Sequence, residues 1–130
     1  MKALTKILLI PLTLVAASSD ACIPQETLDL LKGDKTCYDI EFNDPHVQCM
    51  TVHAKRIKAA MLKKVKSDSA ELAEDEKRLA DEKIKTEILL VERQCGKEKA
   101  EFGPGTLGKR RYAFCINEGL KKVLLRLQHQ

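Results

Sequence analysis

Five cysteines are the residues of this chain best able to do chemistry: Cys22, Cys37, Cys49, Cys95 and Cys115. Thiols can close disulfides, hold a metal or cycle between redox states, and their spacing helps decide among these. No Cys-x-x-Cys occurs, which disfavours a thioredoxin-like site and a zinc ribbon. The strongest turn signal, Gly103-Pro104-Gly105, lies midway between Cys95 and Cys115. Phe42-Asn43-Asp44-Pro45 lies midway between Cys37 and Cys49. A chain that reverses at each turn brings its flanking cysteines together, so we expect the disulfides Cys37–Cys49 and Cys95–Cys115. The rival pair Cys49–Cys95 is centred away from any turn signal and would leave two unequal arms.

His46, Cys49 and His53 fall at i, i+3 and i+7 and would share one helix face. Imidazole and thiolate suit zinc or copper. That use requires a reduced Cys49, in conflict with its expected disulfide. The favoured reading is a disulfide cysteine flanked by surface histidines, so no metal or cofactor is expected.

Two charged segments could recognise a partner. From Asp68 to Glu82 the carboxylates Asp68, Glu71, Glu74, Asp75, Glu76, Asp81 and Glu82 face only Lys77 and Arg78. Such a patch could steer a basic partner, or could be a solvated helix laced by pairs such as Glu74–Arg78 and Asp81–Lys85. Toward the C-terminus, Lys109, Arg110, Arg111, Lys121, Lys122 and Arg126 form a basic helix face that could touch anionic surfaces or simply stay solvated. A net charge of +4 over 130 residues is too small to suggest a dedicated nucleic-acid binder. No Ser/His/Asp motif, Gly-rich phosphate loop or His-Glu-x-x-His is present, so we expect a binding protein and not an enzyme.

The elements that position these residues read as helices. Hydrophobic residues make up 44% of the chain, enough for a core, while 6 Gly and 4 Pro are too few for a many-stranded sheet. Residues 1–17, MKALTKILLIPLTLVAA, have the layout of a secretory signal peptide, with cleavage after Ala17 or as late as Ala21. A single domain over 22–130 and a periplasmic or secreted location follow, and no later stretch is apolar enough to span a membrane. Cys22 is the odd cysteine. Its lipidation is a further reading, with Ala21 fitting and Ser19 standing where bacterial lipoproteins carry Leu.

Pro24–Lys32 reads as a short helix, with Gly33 as its stop. Asp44 as N-cap and Pro45 at the first position start a long helix with the stripe Met50, Ile57, Met61, Val65. Its other face is basic: Lys55, Arg56, Lys58, Lys63, Lys64 and Lys66. A break at Ser67-Asp68-Ser69, with Asp68 capping, leads into a helix to Phe102 with the stripe Leu72, Leu79, Ile84, Ile88, Val91. One unbroken rod over 45–102 is the alternative. Thr106 can cap a last helix with the stripe Tyr112, Ile116, Leu120, Val123, Leu124, Leu127. The sum is an all-α, antiparallel three-helix bundle with a short leading helix, stapled by disulfides. All five aromatics lie outside residues 43–101, so stability is expected to concentrate at the stapled base.

The framework Cys37-x11-Cys49, then Glu92-Arg93-Gln94-Cys95, the Gly103-Pro104-Gly105 turn and Cys115-Ile116-Asn117-Glu118-Gly119-Leu120 resembles the LprI-like family of exported bacterial proteins. Some members of that family inhibit lysozyme. The likeness covers residues 37–127, although this chain has no Trp and carries Gln94 where the family has Asp after its Arg. It implies an all-helical envelope protein and, as partner, a lysozyme. The function expected is therefore an exported binding protein that inhibits lysozyme or a related cell-wall hydrolase through its acidic segment. An immunity or structural envelope protein that binds a toxin or an outer-membrane component is the alternative. A periplasmic metal binder using His46 and His53 is the third.

Overall fold

The structure, a computed structural model, describes residues 23–129. The expected leader, its cleavage site and Cys22 lie outside the described residues. Helix α1 (Gln25–Gly33) runs into a 3-10 turn over Asp34–Asp39, followed by α2 (Asn43–Asp68), α3 (Glu74–Phe102) and α4 (Thr106–Gln128). No strand occurs among the described residues. The all-α expectation holds, and the unbroken rod is replaced by two helices and a turn.

Cross-helix contacts fix the directions. Arg110 meets Asn43 and Asn117 meets Met50, both 67 positions apart, so α4 runs parallel to α2. Cys95 joins Cys115 and Glu87 meets Arg126, so α3 runs antiparallel to α4. The path is up, down, up.

The core between these helices is aliphatic. Ile57 and Met61 of α2, Ile84 and Ile88 of α3, and Ile116, Leu120, Val123, Leu124 and Leu127 of α4 are buried in one cluster. Met50 is buried beside Cys37 and Ala113 in a second cluster at the stapled base. The expected stripes of α2 and α4 are those observed, with Val65 and Tyr112 half-buried at their margins. The α3 stripe is shorter than expected. Ile84 and Ile88 are buried and Val91 packs beside them, but Leu72 lies in the turn and Leu79 is 59% exposed. The aromatics do not build the base: Phe42 is 76% exposed, and Tyr38, Phe102 and Phe114 are exposed as well. Core packing therefore extends along the whole bundle.

Helix ends also depart from the expected caps. Pro24 precedes α1 instead of opening it, and its carbonyl accepts the Leu28 amide at 3.1 Å. Asn43, not Pro45, begins α2; Phe42 is the N-cap, and its carbonyl accepts the His46 amide at 3.1 Å. Asp44 and Pro45 thus sit in the first turn, where a missing N–H leaves no bond unmade. Asp68 ends α2 and pairs with Lys64 at 3.1 Å, so it caps nothing. Ser69 closes that end, its hydroxyl donating to the Val65 carbonyl at 2.7 Å. Ala73 precedes α3, whose first turn carries Glu74, Asp75 and Glu76; three carboxylates favour the positive end of the helix dipole where no side chain caps it. Gly105, not Thr106, is the N-cap of α4.

Gly33 and Gly103 are two of the glycines that geometry requires. Gly33 has an ordinary helical conformation and does not stop α1 by a left-handed turn; a Cβ there would lie 2.8 Å from the His53 ring. Gly103, between α3 and α4, has φ 75° and ψ −177°, a region essentially closed to other residues. Gly103→Ala should therefore destabilise the fold by about 1–3 kcal/mol. Thermal unfolding followed by far-ultraviolet circular dichroism checks this, with a fall of about 4–8 °C expected for each kcal/mol.

Candidate functional site

The two disulfides are the expected ones. Cys37–Cys49 ties the 3-10 turn to α2, with Cα atoms 5.7 Å apart. Cys95–Cys115 ties α3 to α4, with Cα atoms 5.6 Å apart. The first stands near the start of α2, and the second joins the middle of α4 to the last third of α3.

His46 and His53 are not surface residues, which corrects the sequence reading. His46 is 4% and His53 6% exposed. His46 Nδ1 lies 2.7 Å from the Cys37 carbonyl and His53 Nε2 lies 2.7 Å from the Leu30 carbonyl. A carbonyl only accepts, so each of these nitrogens carries the proton and donates it. The rings thereby pin α1 and the 3-10 turn onto α2. Cys49 sulfur is committed to Cys37, so it offers no thiolate beside the two imidazoles. Among the described residues no group of three His, Cys, Asp or Glu side chains could hold a metal ion.

The acidic segment spans the end of α2, the turn and the first three turns of α3. Asp68, Glu71, Glu74, Asp75, Glu76 and Glu82 are exposed and Asp81 is half-buried. Four are engaged locally: Asp68 with Lys64, Glu74 with Lys77 at 3.4 Å, Asp75 with Arg78 at 3.6 Å, and Asp81 with Lys85 at 2.7 Å. Asp81–Lys85 is as expected, while Glu74 pairs with Lys77 in place of Arg78. Glu71, Glu76 and Glu82 have no ion-pair partner within 4.0 Å among the described residues. Asp75, Leu79 and Glu82 recur at i, i+4 and i+7, so α3 presents one exposed face on which a leucine stands between two carboxylates. The sequence reading had put Leu79 in the core. A five-residue step separates it from Ile84, and that step falls off the stripe.

The basic residues of α4 are largely employed within the fold. Arg110 donates to Asn43 at 3.0 Å, Arg126 pairs with Glu87 at 2.9 Å, and Arg111 lies over the Phe102 ring. Lys121 reaches Asp34, which is wholly buried, with both carboxylate oxygens within 2.9 Å. It also touches Glu118 at 2.9 Å. Burial alone would lower the Lys121 pKa, but the hydrogen bonds and charges of Asp34 and Glu118 outweigh it and raise the net value above 10.5. The Tyr38 hydroxyl is also raised, above 10.0, first by burial and then by the Asp34 carboxylate. No sequence signal marks Asp34, whose partner lies 87 residues away. Asn117 was missed for the same reason. It is wholly buried and donates to the Met50 and Ala113 carbonyls at 2.9 Å, joining α4 to α2.

The described residues define a disulfide-stapled, all-α bundle, in which no helix is long and apolar enough to cross a membrane. Comparison with protein-family models, with curated proteins and with solved structures returns no match.

Proposed function

We propose that this chain is an exported binding protein that inhibits a lysozyme or related cell-wall hydrolase, docking through the outward face of α3. The observation that carries the reading is Leu79, 59% exposed between the carboxylates of Asp75 and Glu82. An apolar anchor ringed by acids suits a basic partner: the leucine would supply burial, and the charges steering and register. The leader-like composition of residues 1–17 and the two disulfides support an oxidising, extracytoplasmic location. The spacing Cys37-x11-Cys49 and the Arg93-Gln94-Cys95 segment, which resemble the LprI-like family, support the choice of hydrolase.

The test is a turbidity assay of bacterial cell-wall lysis by lysozyme with the protein in excess. Lysis should be blocked, and the block should weaken as salt rises. Leu79→Asp should weaken inhibition by about tenfold or more, in line with loss of an interface anchor. Undiminished lysis at excess wild-type protein rejects the proposal.

A further inference from the structure

The same end of the bundle carries a second surface, lined by none of Asp75, Leu79 or Glu82. Between α2 and α3 lies an open groove of about 760 Å³, within the range of about 300–1,000 Å³ typical of small-molecule clefts. Its apolar floor is Leu62 and Val65, both half-buried. Lys63 and Lys66 of α2 line one side, and Lys77, Arg78 and Lys85 of α3 the other. Of the carboxylates lining the groove, Glu74 and Asp81 engage Lys77 and Lys85, and Asp75, outside the lining, engages Arg78 at 3.6 Å. Lys63 and Lys66 have no carboxylate partner within 4.0 Å among the described residues. The segment read as acidic thus encloses a cleft whose own lining is cationic.

The chemistry of the lining narrows the ligand. No aromatic residue occurs between positions 43 and 101, so neither a sugar ring nor a nucleobase finds a stacking surface. An inorganic anion would leave the leucine and valine floor unused. A neutral apolar chain would leave the cations unused. A molecule that satisfies both has an alkyl chain and a negative head, and the lysine stems extend the apolar surface beneath their charged ends. We infer that this groove binds a single anionic amphiphile, an alkyl chain bearing a phosphate or carboxylate head. The chain lies on Leu62 and Val65 and the head among the rim cations.

Titration calorimetry of the full chain with decyl phosphate, below the concentration at which it forms micelles, tests the inference. Saturable binding to one site is expected. Inorganic phosphate and decanol, each carrying half of the chemistry, should bind at least about tenfold more weakly. Lys63→Glu with Lys66→Glu should weaken decyl phosphate by a similar factor, with circular dichroism showing the fold retained. Lys66→Gln with Arg78→Gln serves if the reversal variant does not fold. Lys97→Glu with Lys122→Glu, exposed residues outside the groove, should leave affinity unchanged. Equal affinity for decanol or for phosphate overturns the inference. So does equal weakening by the control pair, or binding to anionic vesicles with none to the dispersed amphiphile. Hydrolase inhibition and its loss in Leu79→Asp are read in a separate assay on separate residues, so either proposal can fail alone.

Discussion

Lys121→Met should cost the folded state about 3–5 kcal/mol, the loss typical when one partner of a buried ion pair is removed. The methionine keeps much of the side-chain volume but leaves the Asp34 carboxylate wholly buried without its cation. Urea unfolding measures the loss. Asp34→Asn should cost less, because Lys121 would keep Glu118 at 2.9 Å. A loss below about 1 kcal/mol would show that the pair does not hold the 3-10 turn to α4.

The wild-type protein has an alkaline pH dependence. Folding raises the pKa of both Lys121 and Tyr38 above their ordinary values of 10.5 and 10.0. The folded chain therefore holds these protons when the unfolded chain has begun to release them. Their contribution is fully present below pH 10 and is lost as pH rises through the folded values.

The second large effect concerns the disulfides. Their partners are 12 and 20 residues apart, and each closed loop should contribute about 3 kcal/mol by restricting the unfolded chain. Cys95→Ser with Cys115→Ser should lower the urea midpoint by about 2 M, given a slope of about 1–2 kcal/mol/M for a domain of this size. Opening both bridges should remove about 6 kcal/mol, a large share of the 5–15 kcal/mol typical of a domain. Serine variants are preferable to a reductant because they leave Cys22 as it is. Retention of the wild-type midpoint in the four-serine variant would contradict this account.

What the sequence disclosed follows the range over which each cause acts. Both disulfides were legible because each spans one turn, and turn residues announce themselves locally. The stripe of Ile116, Leu120, Val123, Leu124 and Leu127 was legible because a helix fixes the angles between its own residues. Leu79 was misplaced because leucine is apolar wherever it stands, and only the packing of Ile84 and Ile88 reveals which side of α3 faces inward. The start of α3 carried no capping residue to read, since charge in its first turn takes that role. Asp34, Lys121, His46 and His53 look like ordinary polar residues until distant segments are brought together. The same applies to the cationic groove, whose two sides belong to different helices. In the chain order Lys77 and Arg78 are submerged among carboxylates, and only the fold turns them toward Lys63 and Lys66.

Both covalent bonds lie in the half of the bundle where α2 begins, and α2 and α3 reverse direction at the far end. Midway along, Lys58 and Glu92 form a strut between α2 and α3, 2.6 Å across and partly open to solvent. At that far end the backbone turn over residues 69–73 joins α2 to α3 into one hairpin, while the second half of α4 is held against it by side chains alone. A small tilt of the hairpin against α4 grows with distance along the roughly 39 Å of α2. The groove and the leucine face both ride on the hairpin, so such a tilt carries them together.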